Sequence, residues 1–252
     1  MILDDLLASL HEDAPVRAVV AGAHLAVVCS RRAGLASTLT GRNPHERLRL
    51  KDVGRLHLKR ARELAEYARS DNPLEASIGV AAINSLLEVD ERRMHDLNAS
   101  ALLADRGRGR NVAIVGHFPF VSRLRDSVGA LWVIEQVPAE GDHPAEAATD
   151  LLPRADVVGI TGSALINHTL DGLLALCRPG ALVVVMGPST PFSPVLFDHG
   201  VSMLAGAYVI DEEAALRTAG QGASFQQVEG ARRLTWIREL GGSNEQRVTS
   251  SE

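Results

Sequence analysis

Aromatic residues are scarce in this chain, 4% of 252, which leaves few rings on which successive nucleic-acid bases could stack. A surplus of positive charge is also lacking. Lys and Arg number 26 against 31 Asp and Glu, a formal net charge of -5, and the one short basic stretch is Arg106 to Arg110. A general nucleic-acid binder carries the opposite balance, so that class of partner is not expected. Only two cysteines occur, Cys29 and Cys177, each within an apolar run, which suits buried thiols rather than a disulfide or a soft-metal pair. No uncharged apolar run approaches the roughly 18 to 20 residues that a membrane span needs, so no membrane partner is expected. The opening Met1-Ile2-Leu3-Asp4-Asp5 places acids where a secretory signal places cations, and a cytoplasmic protein is the expectation. Several chemistry-bearing motifs are missing as well: C-x-x-C, H-E-x-x-H, an EF-hand loop, a P-loop and a G-x-S-x-G elbow.

What is present is ordinary globular composition, 46% hydrophobic and 23% charged, with a change of pattern near residue 110. Residues 2–11 are amphipathic at helical spacing. Val16–Val20 and His24–Cys29 read as strands around Ala21-Gly22-Ala23, and Arg31–Asn43 as a loop. Gly54–Arg69 and Pro73–Val89 read as helices. Asp71 or Asn72 can cap the second, and Pro73 suits its first turn. Strands followed by helices predict a small α+β domain over 1–90, and the charged stretch 91–110 predicts a linker.

Beyond Asn111, apolar strands alternate with helices. Strands are predicted at Val112–Val115, Leu131–Ile134, Asp156–Ile160, Ala181–Met186 and Ala207–Ile210. Helices fall at Phe120–Val128, Pro144–Leu152, Leu165–Cys177 and Glu212–Ala219. Such alternation predicts a Rossmann-like, mainly parallel, doubly wound sheet over 111–240, followed by a disordered tail, 241–252.

Open sheets of this kind bind ligands beyond the carboxyl ends of their strands. The residues there are Gly116-His117-Phe118-Pro119, then Glu135, then Thr161-Gly162-Ser163 with Asn167-His168-Thr169, and finally Gly187-Pro188-Ser189-Thr190-Pro191. The first turn lacks the G-x-G-x-x-G fingerprint, which disfavours the usual NAD pose. His117 could ligate a metal or move a proton. Glu135, about 20 residues beyond Gly116, suits either a ribose or a cation. Asp142 and His143 have ligand chemistry too, though both could simply cap the next helix.

These turns carry a family resemblance. Ile114-Val115-Gly116-His117-Phe118-Pro119, Ile160-Thr161-Gly162-Ser163 with Leu165-Ile166-Asn167-His168-Thr169, and Gly187-Pro188-Ser189-Thr190-Pro191 resemble bacterial and archaeal proteins of the "putative heavy-metal chelation" family. Gly34-Leu35-Ala36 and Gly79-Val80-Ala81-Ala82-Ile83-Asn84-Ser85-Leu86 extend the likeness to the first half. The resemblance implies an enolase N-terminal-like domain joined to a Rossmann-like domain, with a site in the cleft between them. Carried over by position, it implicates His117, Glu135, Thr161, Gly162, Asn167, Gly187, Ser189 and Thr190. Asn84 could face the cleft from the N-terminal side or lie on an exposed helix face. The expected function is binding of a small anionic ligand, a metal or a metal chelate, with a divalent ion held by His117 and Glu135. The alternative is an enzyme acting on a small metabolite with a nucleotide-type cofactor such as S-adenosylmethionine or NAD(P). Either is compatible with a homo-oligomer.

Overall fold

A computed structural model describes residues 1–41 and 49–238, so the tail expected after residue 241 lies outside the described residues. Helix α1 (Ile2–Ala8) buries Ile2, Leu3, Leu6 and Leu7, the face its spacing predicts. Strands β1 (Ala18–Ala21) and β2 (Leu25–Cys29) form the expected antiparallel pair, closed by the Gly22 N–H donating to the Leu25 carbonyl at 2.9 Å. A third strand, β3 (Ala33–Ser37), runs where a loop was expected. Its sequence, Ala-Gly-Leu-Ala-Ser, has no β-branched residue. Pairing with β2, from Leu25 opposite Ser37 to Cys29 opposite Ala33, makes it a strand.

The predicted Gly54–Arg69 helix is shorter than expected. Helix α2 (Ala61–Ala65) is regular, and 3₁₀ turns at Leu56–Leu58 and Glu66–Arg69 flank it. Helix α3 (Pro73–Leu86) begins as read, with Asn72 Oδ1 accepting the N–H of Leu74 at 3.0 Å and of Glu75 at 3.4 Å. It is apolar on nearly every side because it is the centre of this half, against β2, β3 and α2.

The stretch read as a linker is structured. It holds β4 (Met94–His95) and α4 (Ala99–Gly107), the helix capped by Asn98, whose Oδ1 accepts the Ser100 N–H at 3.0 Å. Leu103 of α4 is fully buried. One inward ridge on so short a helix is outweighed in the sequence by its exposed charges, which is why the stretch looks solvated.

The second half contains β5 (Asn111–Val115), α5 (Val121–Leu124), β6 (Ala130–Glu135), β7 (His143–Pro144), α6 (Ala148–Leu151) and β8 (Val157–Thr161). Then come α7 (Ser163–Ile166), α8 (Leu170–Leu176), β9 (Leu182–Met186), α9 (Pro194–Asp198), β10 (Met203–Val209), α10 (Glu212–Gly220) and β11 (Ala231–Ile237). The sheet order is β4-β11-β10-β9-β8-β5-β6-β7, parallel from β10 to β7, with β11 antiparallel to both its neighbours. The protein is thus α/β, a three-stranded antiparallel sheet beside a mainly parallel one. Several details depart from expectation: β7 stands where the Pro144–Leu152 helix was expected to begin, that helix is reduced to α6, and α5 covers only part of Phe120–Val128. The helix predicted over Leu165–Cys177 is broken between α7 and α8, β10 starts at Met203 rather than Ala207, and β11 was not foreseen. Its leading Arg232 and Arg233 hide the buried Leu234, Thr235 and Trp236 behind them.

Alternate side chains of the parallel strands point to opposite faces. Val112, Ile114, Val133 and Val157 meet Leu103 of α4 and Val121 and Leu124 of α5. Ala113, Ile134, Val158 and Val183 enter a core that also holds Leu196 and Phe197 of α9 and Ile78, Val80 and Ile83 of α3. That core runs unbroken from one half into the other. On the far face of the small sheet, Leu25, Val27 and Leu35 pack against Ala215 and Ala219 of α10. The second half therefore covers one face of the three-stranded sheet with α10 and joins the core that α3 forms on the other.

Candidate cleft at the strand ends

From β5 the chain steps outward to β6 and β7, then returns to the other side of β5 as β8. That reversal is the switch point where open α/β sheets leave a crevice beyond their carboxyl ends. A cavity of about 1430 Å³ opens there. The turns after β5, β6, β8 and β9 form its floor. Ser37, the last residue of β3, and Leu39 just beyond it wall it from the N-terminal half.

Five of the residues singled out from sequence line this cavity: His117, Glu135, Thr161, Asn167 and Gly187. Gly116 sits among them at φ +104, and a Cβ there would lie 2.9 Å from the Thr161 Cβ, so only glycine fits the turn. Glu135 Oε2 accepts the Gln136 N–H at 2.9 Å. His117 is 59% exposed, with Nδ1 3.5 Å from Asp142 Oδ2. Asn167 Oδ1 accepts the Thr169 hydroxyl at 2.7 Å.

The other four stand behind the cavity wall. Gly162 lets the β9 turn close, since a Cβ would come within 2.8 Å of the Thr190 nitrogen. Ser189 is fully buried, and its Oγ accepts the Ser37 N–H at 2.8 Å, a link between the halves. Asn84 donates from Nδ2 to the Leu35 carbonyl at 2.8 Å, so it faces β3 rather than solvent. Asn84 Oδ1 and Thr190 Oγ1 are buried without a hydrogen-bond partner among the described residues, and both residues border a second space of about 10 Å³.

Sequence reasoning singled out neither the wall from the first half nor Arg123, Phe225 and Arg233. Arg233 lies on the unforeseen β11 and donates to the Phe225 and Gln226 carbonyls at 3.1 and 3.2 Å. Its guanidinium also lies over the Phe225 ring, 5.3 Å from the ring centre. Phe118 and Phe120 stack at 5.2 Å, and both line the cavity. Among the described lining residues, His168 is the non-glycine one with positive φ, at +58. Its Nε2 lies 2.8 Å from the Ala68 carbonyl. A carbonyl only accepts, so Nε2 carries the proton, and in the neutral ring Nδ1 is the acceptor.

Charge in the cavity departs from the chain as a whole. Arg123 and Arg233 balance Asp96 and Glu135, with His24, His117 and His168 also on the lining, in a protein of net charge -5. Metal-binding capacity is small. Among the described residues no group of three or more His, Cys, Asp or Glu comes together. Cys29 is buried against α10, and burial pushes its thiol up to about 11, with Glu212 adding to the effect and Arg17 opposing it. Burial raises Cys177 to about 11 as well. Such thiols are poor ligands, and the donors among the described residues do not fit a metal centre built from side chains alone.

Fold and cavity together define a Rossmann-type α/β protein with a crevice at the strand ends, walled on one side by the N-terminal half. The chain belongs to the DUF364 family, described as "putative heavy-metal chelation", whose model matches residues 98–237. A companion family model of the same description, DUF4213, matches residues 3–87. The chain is similar to an uncharacterized protein of Methanocaldococcus jannaschii, 29% identical over 180 residues, 69% of this chain and 70% of that protein. It also resembles the crystal structure of a DUF364 protein of unknown function from Desulfitobacterium hafniense, with a TM-score of 0.81 and 29% identity, covering 94% of this chain and 98% of that one. A second DUF364 crystal structure, from Pyrococcus horikoshii, gives a TM-score of 0.79 at 22% identity, with the same 94% and 98% coverage, and likewise has the fold.

Proposed function

We propose that this protein binds a small anionic organic molecule, or a metal carried as its chelate, in the cleft between the halves. The observation that carries the reading is a cavity of about 1430 Å³ at the switch point, with a lining more positive than the rest of the chain. Sites for organic ligands span roughly 300 to 1,000 Å³, so this space is far larger than a bare ion needs. A metal enters this reading with most of its ligands already attached. His117 and Glu135 can complete its coordination, and both line the cleft. That arrangement reconciles the family's description with the few donors present.

Native mass spectrometry with elemental analysis of the purified protein tests it. The expected result is an organic adduct, with metal in stoichiometric amount only while the adduct stays bound. Metal retained after the organic molecule is removed would overturn the reading in favour of a protein-built centre. A second reading, an enzyme using a nucleotide-type cofactor, is favoured by one feature, Glu135 at the end of the strand next to β5.

A further inference from the structure

We infer that the Glu135 end of the cleft is a ribonucleoside subsite without a diphosphate cradle, a conclusion that rests on the cleft being a ligand site. The argument begins with position. Val115, the last residue of β5, pairs with Ile134 of β6, and the Gly116 N–H donates to the Ile134 carbonyl at 3.0 Å. Glu135, which lines the cavity, therefore follows directly beside the glycine turn at the switch point, the place where Rossmann sheets hold a ribose. A vicinal diol offers two O–H donors, and a carboxylate accepts both at once. The Gln136 N–H bond to Oε2 fixes the orientation of that carboxylate.

The chain after β7 contributes the small side chains of Ala145 and Ala148 to the cavity lining, and Phe118 is on the lining too. Small apolar walls and an aromatic ring suit the faces of a planar base. A diphosphate finds no equivalent support. The turn after Gly116 is His117-Phe118-Pro119, with bulky side chains and a proline that has no N–H to give. The helix that follows, α5, has four residues. Dinucleotide sites use a glycine-rich turn and a full helix at this point. The subsite accordingly accepts the sugar and base of a nucleoside, or a nucleoside bearing a substituent other than a diphosphate.

Calorimetry on the purified protein decides the matter, with adenosine, guanosine, cytidine and uridine as probes, the 2′-deoxy form of whichever binds, and NAD+. At least one ribonucleoside should bind, its 2′-deoxy form about tenfold more weakly, and NAD+ no more tightly than adenosine. Glu135→Gln should weaken the ribonucleoside about tenfold, the effect of losing one charge-assisted bond, and weaken the deoxy form, which keeps only its 3′ hydroxyl, by less. Equal affinity for ribo and deoxy forms, or failure of all four nucleosides, overturns the inference, and the wild-type comparison does so whether or not the variant folds. The same preparation is examined by native mass spectrometry. An organic adduct that no nucleoside displaces removes the subsite and leaves the cleft reading standing, whereas no adduct and no nucleoside binding removes both.

Discussion

His117 and Ser189 were read alike from sequence, as polar residues on strand-end turns, yet the fold gives them opposite lives. The His117 side chain is 59% exposed in the cleft, while Ser189 is fully buried and bonded to the Ser37 backbone. His117→Ala should therefore change stability by no more than about 0.5 kcal/mol. If the cleft is the ligand site, the same change should remove the adduct seen by native mass spectrometry. Ser189→Ala removes the partner of the half-buried Ser37 N–H and should destabilise by about 1 kcal/mol, read from denaturant midpoints. A His117→Ala protein that melts much earlier and keeps its ligand would reverse the two assignments. The buried Cys29 thiol, raised to about 11, should react with a thiol reagent at pH 8 far more slowly in the native protein than in denaturant.

Helix α3 is the element on which the first half is built, and two of its features are testable. Gly79 lies where α3 meets the Glu66–Arg69 turn, and a Cβ there would come within 1.9 Å of the Ala68 nitrogen. Alanine normally stabilises a helix interior by about 1 kcal/mol over glycine. Here the backbone clash should win, and Gly79→Ala should lower stability by about 1 to 3 kcal/mol. Glu75 sits in the first turn of α3, 2% exposed. Burial pushes its carboxyl up, but hydrogen bonds from the Ser70 hydroxyl and the Lys51 N–H, with the Lys51 charge, outweigh that and hold it below its usual 4.5. A carboxyl lowered in the folded state favours folding above its unfolded value, and that contribution fades as pH falls through the folded one. The stability difference between wild type and Glu75→Gln should thus be largest near neutral pH and shrink below about 4.5 in pH-dependent urea melts. A difference constant down to pH 2 would mean that the carboxylate charge is irrelevant there.

At the scale of the molecule, the two family models meet between residues 87 and 98, yet the hydrophobic core does not divide there. Ile78 and Ile83 of the first half share a core with Val158 and Val183 of the second, and α10 closes the outer face of the small sheet. Burying such aliphatic side chains is worth roughly 1.5 to 3 kcal/mol each, and neither half keeps that burial alone. The whole chain should unfold in one transition, with circular dichroism and the fluorescence of Trp132 and Trp236 moving together. Two separated transitions would show that the halves are independent after all.

Much of this architecture is written locally. The βαβ alternation after Asn111, the Asn72 cap with Pro73, and the strand-end turns through Gly116, Thr161 and Gly187 depend on neighbours within a few residues, so periodicity and turn chemistry reveal them. The strands that sequence alone did not reveal owe their form to distant partners. β3 is held by β2, and β11 by β10 and β4, while α4 shows a single buried ridge beneath a charged surface. The same distinction separates the candidate site residues. That Glu135 and His117 lie at strand ends follows from the sequence, because a strand end is a local event. That Ser189 and Asn84 face the other half, and that His168 turns its ring to Ala68, was decided only when two surfaces far apart in the chain came together.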